Sequence, residues 1–344
     1  MSIYASSYIS GLNKPVEAWL KEIYGNKVNI IENFDGLIVY ETNQPFISAP
    51  FFNNSFLCLT TPDNTREYNL VDALPCFIRT LNIDYIELNK HISSKFKTFK
   101  ILAFNKNQPA KINYKDLSVL ESQIAKHTKL KLSKDKHDAE FHIINRSEGV
   151  CLLLYKLTYN RTTEKILQKG SLRPELAFAL AKLANIKPTD IVIDMFCGSG
   201  SIAKAIVKHF KYNMCFASDI NEEKIKLLKQ EFKNNKKNLF IKQRDASNLS
   251  YFQNEFIDKI ITDPPWNIFE NNGKSFVDNY VNYLKEMERI LKTNGTATIL
   301  MGNIHEFEKA LDCIPSLKLK DKFNILVNGK KANIYVLNKQ KEQV

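Results

Sequence analysis

Ile191-Val-Ile-Asp194-Met-Phe-Cys197-Gly198-Ser-Gly200-Ser201 is the stretch whose reading decides the fold. An apolar run of strand length ends in an acid. Two glycines then let the backbone turn sharply and approach a ligand closely. From Ser201 to Phe210, the residues Ile202, Ile206, Val207 and Phe210 fall at helical spacing, so a helix starts beyond the turn. The N–H groups that open such a helix can hold an anion such as a carboxylate. The glycines do not complete a G-x-G-x-x-G, because Ala203 stands at the third position, and no Lys-Ser/Thr pair follows as in a Walker loop. Both departures count against a nucleoside triphosphate.

The same alternation extends in both directions. Upstream, Arg173-Pro174-Glu175 opens a helix with Leu176, Leu180 and Leu183 on one face, Pro174 near its first position and Ser171 as a possible cap. Downstream come a strand at Met214–Ser218, a helix capped by Asn221 that carries Ile225, Leu228 and Phe232, and strands at Leu239–Lys242 and Ile257–Thr262. A long helix over about 275–292 turns at Asn294-Gly295 into the strand Thr296–Met301. Phe323–Val327 and Ala332–Leu337 flank Asn328-Gly329, a hairpin signal. Alternating βαβα with an antiparallel ending predicts an α/β fold: a Rossmann-like, doubly wound sheet covered on both faces.

Ligands of such sheets bind outside the carboxyl ends of the strands. Four acids fall there in order: Asp194, Asp219, Asp245 and Asp263. Asp219 follows Asp194 by 25 residues and is placed to take both ribose hydroxyls, although it or Asn221 could simply cap the next helix. Asp245 could accept from an adenine amino group. Asp263 opens Asp263-Pro264-Pro265-Trp266, where two prolines fix φ and remove N–H groups, so the chain presents acceptors beside a flat ring. The simplest reading of that motif by itself is a strand running into a turn. Preceded by three other acids at strand ends, it suits a planar group bearing an exocyclic amine.

This layout closely resembles a class I S-adenosylmethionine-dependent methyltransferase, and Asp263-Pro264-Pro265-Trp266 looks like the D/N-P-P-aromatic motif of enzymes that methylate amines of nucleic-acid bases. The resemblance implies S-adenosylmethionine as cofactor. It implies a binding set of Arg173, Pro174, Asp194, Phe196, Cys197, Gly198, Ser199, Gly200, Asp219, Ile220, Asp245, Ala246 and Asp263, with the first loop on the methionine part, Asp219 on ribose, and Asp245 with Ala246 on adenine. Asp263, Pro264, Pro265 and Trp266 would be the catalytic set. Asp263 and the Pro264 carbonyl accept the amine N–H bonds and aim its lone pair at the methyl group, and Trp266 stacks on a base flipped from its helix, a contact worth on the order of 1–3 kcal/mol. The proton leaves after transfer, so the Asp263 pKa has no need to be raised.

The first half carries the charge. Of a formal net charge of +12, residues 90–136 hold twelve lysines against three acids. That is what a phosphate-binding surface looks like, although lysine-rich stretches are also commonly solvated faces. Thr98–Phe104 reads as a strand, Asp116–His127 as a helix with Leu117, Leu120 and Ile124 inward, and Glu140–Ile144 and Gly149–Tyr155 as two paired strands. Lys126, Lys129, Lys131, Lys134 and Lys136, at the helix end and in the loop after it, are the candidate RNA-binding residues. Before this unit, Val16–Ile23 reads as a short helix, and strands at Val28–Ile31 and Gly36–Tyr40 meet at an Asp35-Gly36 turn.

The order of the two halves resembles the THUMP-containing RNA methyltransferases. Residues 1–157 would be a ferredoxin-like and THUMP RNA-binding region, 158–170 a linker and 171–344 the methyltransferase domain. Leu172–Ala177 matches that family. The family implies N2-methylguanosine formation in transfer or ribosomal RNA, with the THUMP domain gripping transfer RNA. Two departures stand out. No acid follows in the first helix, where Ile202-Ala-Lys-Ala-Ile206 stands, and Trp266 occupies a slot where tyrosine is usual for guanine N2 and tryptophan also occurs for adenine N6. Six scattered cysteines without a C-x-x-C pair and no metal-ligand spacing of histidines fit a cytoplasmic protein without a metal, and no apolar run reaches membrane-span length. The expectation is a transfer-RNA guanine-N2 methyltransferase. A ribosomal RNA substrate, adenine N6, or an inactive RNA-binding protein are the alternatives.

Overall fold

The computed structural model describes residues 1–60, 83–159, 170–234, 238–266 and 276–341. The chain divides into two units: Met1–Tyr8 with Asn13–Arg161, and Ile9–Leu12 with Thr162–Val344. The residues 160–169 of the expected linker, residues 61–82 of the expected RNA-binding region and the end of the tail at 342–344 lie outside the described residues.

The first unit is built on one mixed sheet. Its strands are β1 (Ser2–Ser7), β2 (Val28–Phe34), β3 (Leu37–Thr42), β4 (Asn54–Cys58), β5 (Thr98–Asn105), β6 (Gln108–Pro109), β7 (Lys131–Leu132), β8 (Ala139–Asn145) and β9 (Cys151–Lys156). Among the described residues they run β2-β3-β1-β4-β9-β8-β5-β6, with β7 beside β5. Helices α1 (Asn13–Tyr24), α2 (Tyr85–His91) and α3 (Tyr114–Thr128) accompany it. The expected strand–helix–strand unit forms: β5 and β8 pair in parallel around α3, and β8 and β9 pair antiparallel. Asn113 caps α3 by accepting from the Lys115 N–H at 3.1 Å, and Leu120 and Ile124 are its buried residues. Asp35-Gly36 makes the two-residue turn between β2 and β3.

Strand β1 has no counterpart in the sequence reading. Three of its six residues are serines, which blur an apolar alternation. The sheet satisfies the buried ones internally, as in the Ser6–Ser55 hydroxyl pair at 2.8 Å. Thr158 is likewise no linker residue. It is buried and accepts from the Ser55 N–H at 3.0 Å.

The second unit contains α4 (Pro174–Leu183), β10 (Ile191–Asp194), α5 (Ser201–His209), β11 (Met214–Asp219), α6 (Glu222–Glu231), β12 (Leu239–Gln243), β13 (Ile257–Thr262), α7 (Phe276–Ile290), β14 (Leu291–Met301), α8 (Ile304–Asp312), β15 (Leu317–Val327) and β16 (Lys330–Lys339). Its sheet runs β12-β11-β10-β13-β14-β16-β15, parallel through β14 and antiparallel at β16 and β15. The Rossmann-like class expected from the sequence is the class observed. Strand order reverses between β10 and β13, and this is where a doubly wound sheet opens a crevice.

Two apolar clusters sandwich the sheet. One joins Ile193, Ile260 and Ile299 to Tyr280, Leu284 and Met287 of α7 and Phe307 of α8. The other joins Ala217 and Ile241 to Ala203 of α5 and Ile225 and Leu228 of α6. Leu284 is fully buried, so truncating it to alanine costs about 2–5 kcal/mol.

Two local expectations change. Helix α7 ends at Ile290 rather than near 292, because Leu291 already pairs with Ile257 in the sheet. Ser171 does not cap α4. Arg173 is the N-cap residue, and the Ser171 hydroxyl donates to Ser199 at 2.8 Å. Near the end of the chain, Lys339 is buried, donates to the Leu291 carbonyl at 3.0 Å and bridges to Glu255. No described helix is long and apolar enough to cross a membrane.

Candidate active site

The glycine turn is built around two acids. Asp194 ends β10 and is 1% exposed. Its Oδ1 accepts from the Thr262 hydroxyl at 2.8 Å and the Phe196 N–H at 3.2 Å. Complete burial pushes its pKa up to about 7. The two hydrogen bonds oppose the rise, and the nearby charges of Asp263 and Asp219 add to it. Asp194 and Thr262 thus tie the end of β10 to the end of β13, and sequence reading took Thr262 only as a strand residue.

Gly198 has φ +50°, and its N–H donates to Asp219 Oδ2 at 2.8 Å. A Cβ built there meets only the Phe196 carbonyl oxygen, at 4.0 Å. Gly200, at φ +79°, is the N-cap of α5, and a Cβ there would stand 2.2 Å from Leu228 Cδ1. Gly198 therefore leaves room for a ligand, whereas Gly200 leaves room for α6.

Asp219 ends β11. Its Oδ1 accepts from the Asn221 N–H at 2.9 Å, which together with the Gly198 bond leaves each oxygen a further lone pair. The capping role falls to Asn221, whose Oδ1 accepts from the Lys224 N–H at 3.1 Å. Asp219 is therefore available to a pair of hydroxyls. Beside it Ile220 is 66% exposed, an apolar side chain left uncovered at the strand end. Asp245, after β12, accepts from the Ser247 N–H and hydroxyl, both at 2.8 Å, and Ala246 next to it is buried.

At the end of β13, Asp263 Oδ1 accepts from the Trp266 indole Nε1–H at 2.9 Å. The Pro265 carbonyl accepts from the Tyr280 hydroxyl at 3.0 Å, so α7 holds this loop. Withdrawal from water raises the Asp263 pKa to about 7, opposed by the indole bond. Sequence reading saw no need for a raised value, and burial at the foot of a cleft, which the motif alone does not show, raises it. The Trp266 ring is partly buried, with its Cε3 edge against Gly302.

These pieces meet in one cavity of about 530 Å³, within the range of small-molecule sites. Of the residues expected at the cofactor, Asp194, Phe196, Cys197, Gly198 and Ser199 line it from the first loop. Asp219, Ile220, Asp245 and Ala246 line it from the next two strand ends, and Asp263, Pro264, Pro265 and Trp266 from the fourth. Arg173, Pro174 and Gly200 do not line it. Arg173 and Pro174 open α4, and Leu172 and Gly170 reach the cavity instead, with the Leu172 N–H donating to the Ser201 hydroxyl at 3.1 Å.

Besides Gly170 and Leu172, sequence reading missed six lining residues: Met195, Ser201, Ile202, Asn221, Lys224 and Tyr283. Tyr283 is on α7, lines the cleft and packs edge-to-face on Phe196, with ring centroids 4.9 Å apart. An apolar shelf, a carboxylate with free lone pairs and an open glycine together fit an adenosyl group carrying an amino-acid tail. Among the described residues no group of three or more His, Cys, Asp and Glu is placed to hold a metal ion.

The five lysines belong to the first unit. Lys126 is in the last turn of α3, Lys129 follows it at φ +61°, Lys131 is on β7, and Lys134 and Lys136 precede β8. All five are exposed.

Comparisons with known proteins agree with this geometry. The family model described as RMKL-like, methyltransferase domain, matches residues 161–333. A tRNA (guanine(10)-N2)-dimethyltransferase of Methanocaldococcus jannaschii is 32% identical over 143 residues, 38% of this chain and 38% of that protein. A tRNA (guanine(6)-N2)-methyltransferase of Thermus thermophilus is 26% identical over 182 residues, 52% of this chain and 53% of that one. The match therefore spans about half or less of these relatives. The crystal structure of TrmN from Thermus thermophilus superposes with a TM-score of 0.76 over 98% of this chain and 100% of that one, at 18% identity, a likeness of fold.

Proposed function

The chain belongs to the family of RMKL-like methyltransferase domains, and on that premise we propose that it methylates the exocyclic amine of an RNA base, guanine N2 in transfer RNA, using S-adenosylmethionine. One observation carries the reading. A single cavity joins a carboxyl suited to ribose, Asp219, to a carboxyl in a proline-fixed loop, Asp263. The named relatives that methylate guanine N2 of transfer RNA support the choice of base.

When bound, S-adenosylmethionine supplies an electrophilic methyl group. The first loop from Phe196 to Ser199 would hold its amino-acid end, Asp219 its ribose, and Ile220, Asp245 and Ala246 its adenine. Asp263 does the work on the amine. Its lone pair is delocalised into the base, so the nitrogen is a weak nucleophile until its N–H bonds meet acceptors. Asp263 Oδ2 and the Pro264 carbonyl provide them and orient the nitrogen, and positioning of this kind can supply about 7–11 kcal/mol of a barrier. As the new N–C bond forms, the bond between the methyl group and sulfur would break with its electron pair left on sulfur, and one N–H proton must leave the amine. A carboxylate whose pKa is about 7 can receive it near neutral pH.

The first unit would act as the ferredoxin-like and THUMP region that grips RNA, with Lys126, Lys129, Lys131, Lys134 and Lys136 on phosphates. A cytoplasmic location accords with that substrate. Trp266 favours a second reading, adenine N6, because tryptophan at that slot also occurs in adenine-N6 enzymes. Incubation with unmodified transfer RNA and S-adenosylmethionine, followed by nucleoside mass spectrometry, tests the proposal. N2-methylguanosine is expected, and no methylated nucleoside would refute it.

A further inference from the structure

We propose that Gly302, outside the Asp263–Trp266 motif, is a positioning residue: its missing side chain seats the Trp266 indole, and the seated indole fixes which Asp263 oxygen meets the substrate amine. The inference rests on the function proposed above.

The geometry has three parts. A Cβ built on Gly302 would lie 2.1 Å from Trp266 Cε3, 2.4 Å from Cδ2 and 2.6 Å from Cζ3, so the six-membered ring lies directly on the glycine. Gly302 is not among the glycines with positive φ, so space rather than backbone conformation requires it. With the ring seated there, Nε1–H reaches Asp263 Oδ1 at 2.9 Å. The Tyr280 hydroxyl holds the Pro265 carbonyl at 3.0 Å and fixes the backbone between the two side chains.

Oδ1 is therefore engaged by the indole, and Oδ2 is left for the amine. An alanine at 302 would drive the ring back by about 1.3 Å to reach ordinary contact at 3.4 Å. That displacement pulls Nε1–H away from Asp263 and frees the carboxyl to rotate. A misplacement of about 1 Å costs roughly 100-fold in rate.

The other titratable groups around the cavity are Asp194, Cys197, Asp219, Asp245, Lys224 and Tyr283, with Tyr280 of α7 against the Pro265 carbonyl. A spectroscopic readout isolates Asp263 from them, because the chain has only two tryptophans, Trp19 and Trp266. In the full chain labelled with ¹⁵N-tryptophan, the indole N–H resonance that vanishes in Trp266→Phe is expected to move as pH crosses the Asp263 pKa. It is expected to become insensitive to pH in Asp263→Asn, and to lose its titration in Gly302→Ala. A Trp266 resonance that does not titrate in the wild type, that still titrates in Asp263→Asn, or that titrates unchanged in Gly302→Ala overturns the proposal.

Where Gly302→Ala does not fold, Trp266→Phe carries the test, since it keeps a ring and removes the donor. The indole bond favours the ionised carboxyl, so its loss is expected to move the acid limb of kcat/KM to higher pH, with kcat rather than KM reduced. An unmoved limb overturns the seat. If the wild-type chain transfers no methyl group to RNA, the functional reading fails, and the resonance arm still decides the role of Gly302.

Discussion

Replacing Asp194 by asparagine should leave a signature that depends on pH. Both hydrogen bonds to Asp194 end on Oδ1, from Thr262 at 2.8 Å and Phe196 at 3.2 Å, so an amide in the same rotamer keeps both acceptors. It adds an Nδ2 group with no partner, which costs about 1–3 kcal/mol when buried. Against this stands the cost of ionising the native carboxyl, whose pKa rises from 3.8 to about 7 in a residue 1% exposed. At 1.36 kcal/mol per pKa unit, that is about 4 kcal/mol.

The sign follows from proton binding. The folded state holds the Asp194 proton more tightly than the unfolded state does, so the carboxyl's contribution is fully present below about pH 4 and is lost as pH rises to about 7. Asp194→Asn should therefore be less stable than wild type in acid, by about 1–3 kcal/mol, and as stable or more stable above neutrality. Urea unfolding of the two proteins at matched ionic strength, stepped across that window, measures the difference. A difference that stays constant with pH would mean that Asp194 ionises without penalty, and the account of a desolvated first loop would be wrong.

Three further outcomes are expected. Gly200→Ala should destabilise the second unit by more than the roughly 1–2 kcal/mol of a left-handed alanine, because its Cβ would also stand 2.2 Å from Leu228 Cδ1. Leu228→Ala should recover part of that excess in a double-mutant unfolding cycle. Asp219→Ala removes the acceptor of the Gly198 and Asn221 N–H groups as well as the proposed ribose contact. Calorimetry should show affinity for S-adenosylmethionine falling at least about tenfold, since hydrogen bonds to charged groups are worth about 1.5–3 kcal/mol each. Charge reversal at Lys129, Lys131 and Lys134 should weaken RNA binding and flatten its salt dependence, with about 0.7–0.9 lost from the slope per phosphate contact. Unchanged affinity would make these lysines a solvated face.

The second unit was legible because its signals are local and repeated. A buried parallel strand is a short apolar run, and each of the four ended in an acid that the fold brings to one crevice. The antiparallel ending was legible for a different reason: Asn328 and Gly329 both take positive φ in the hairpin turn, at +50° and +77°. What escaped depends on tertiary packing. Strand β1 hides behind serines whose partners, Ser55 and Asn54 of the next strand and Glu87 of a helix, are distant in sequence. Helix α8 was missed although Phe307 and Ala310 form its buried side. Arg173 and Pro174 looked like cofactor residues, yet they open a helix while Leu172 reaches the cavity.

The roles of Trp266 and Gly302 needed coordinates most of all, because 36 residues separate them in the chain and only the parallel pairing of β13 with β14 brings their strand ends together. The raised pKa values of Asp194 and Asp263 are of the same kind. The motif names the carboxyls, and burial sets their chemistry.

The measurement closest to the central claim is methyl transfer from S-adenosylmethionine to unmodified transfer RNA by wild type and Asp263→Ala, read by nucleoside mass spectrometry. The account predicts N2-methylguanosine with the wild-type chain and a loss of nearly all product in the variant. Equal N2-methylguanosine from both proteins would contradict the role of Asp263, and N6-methyladenosine in its place would contradict the base.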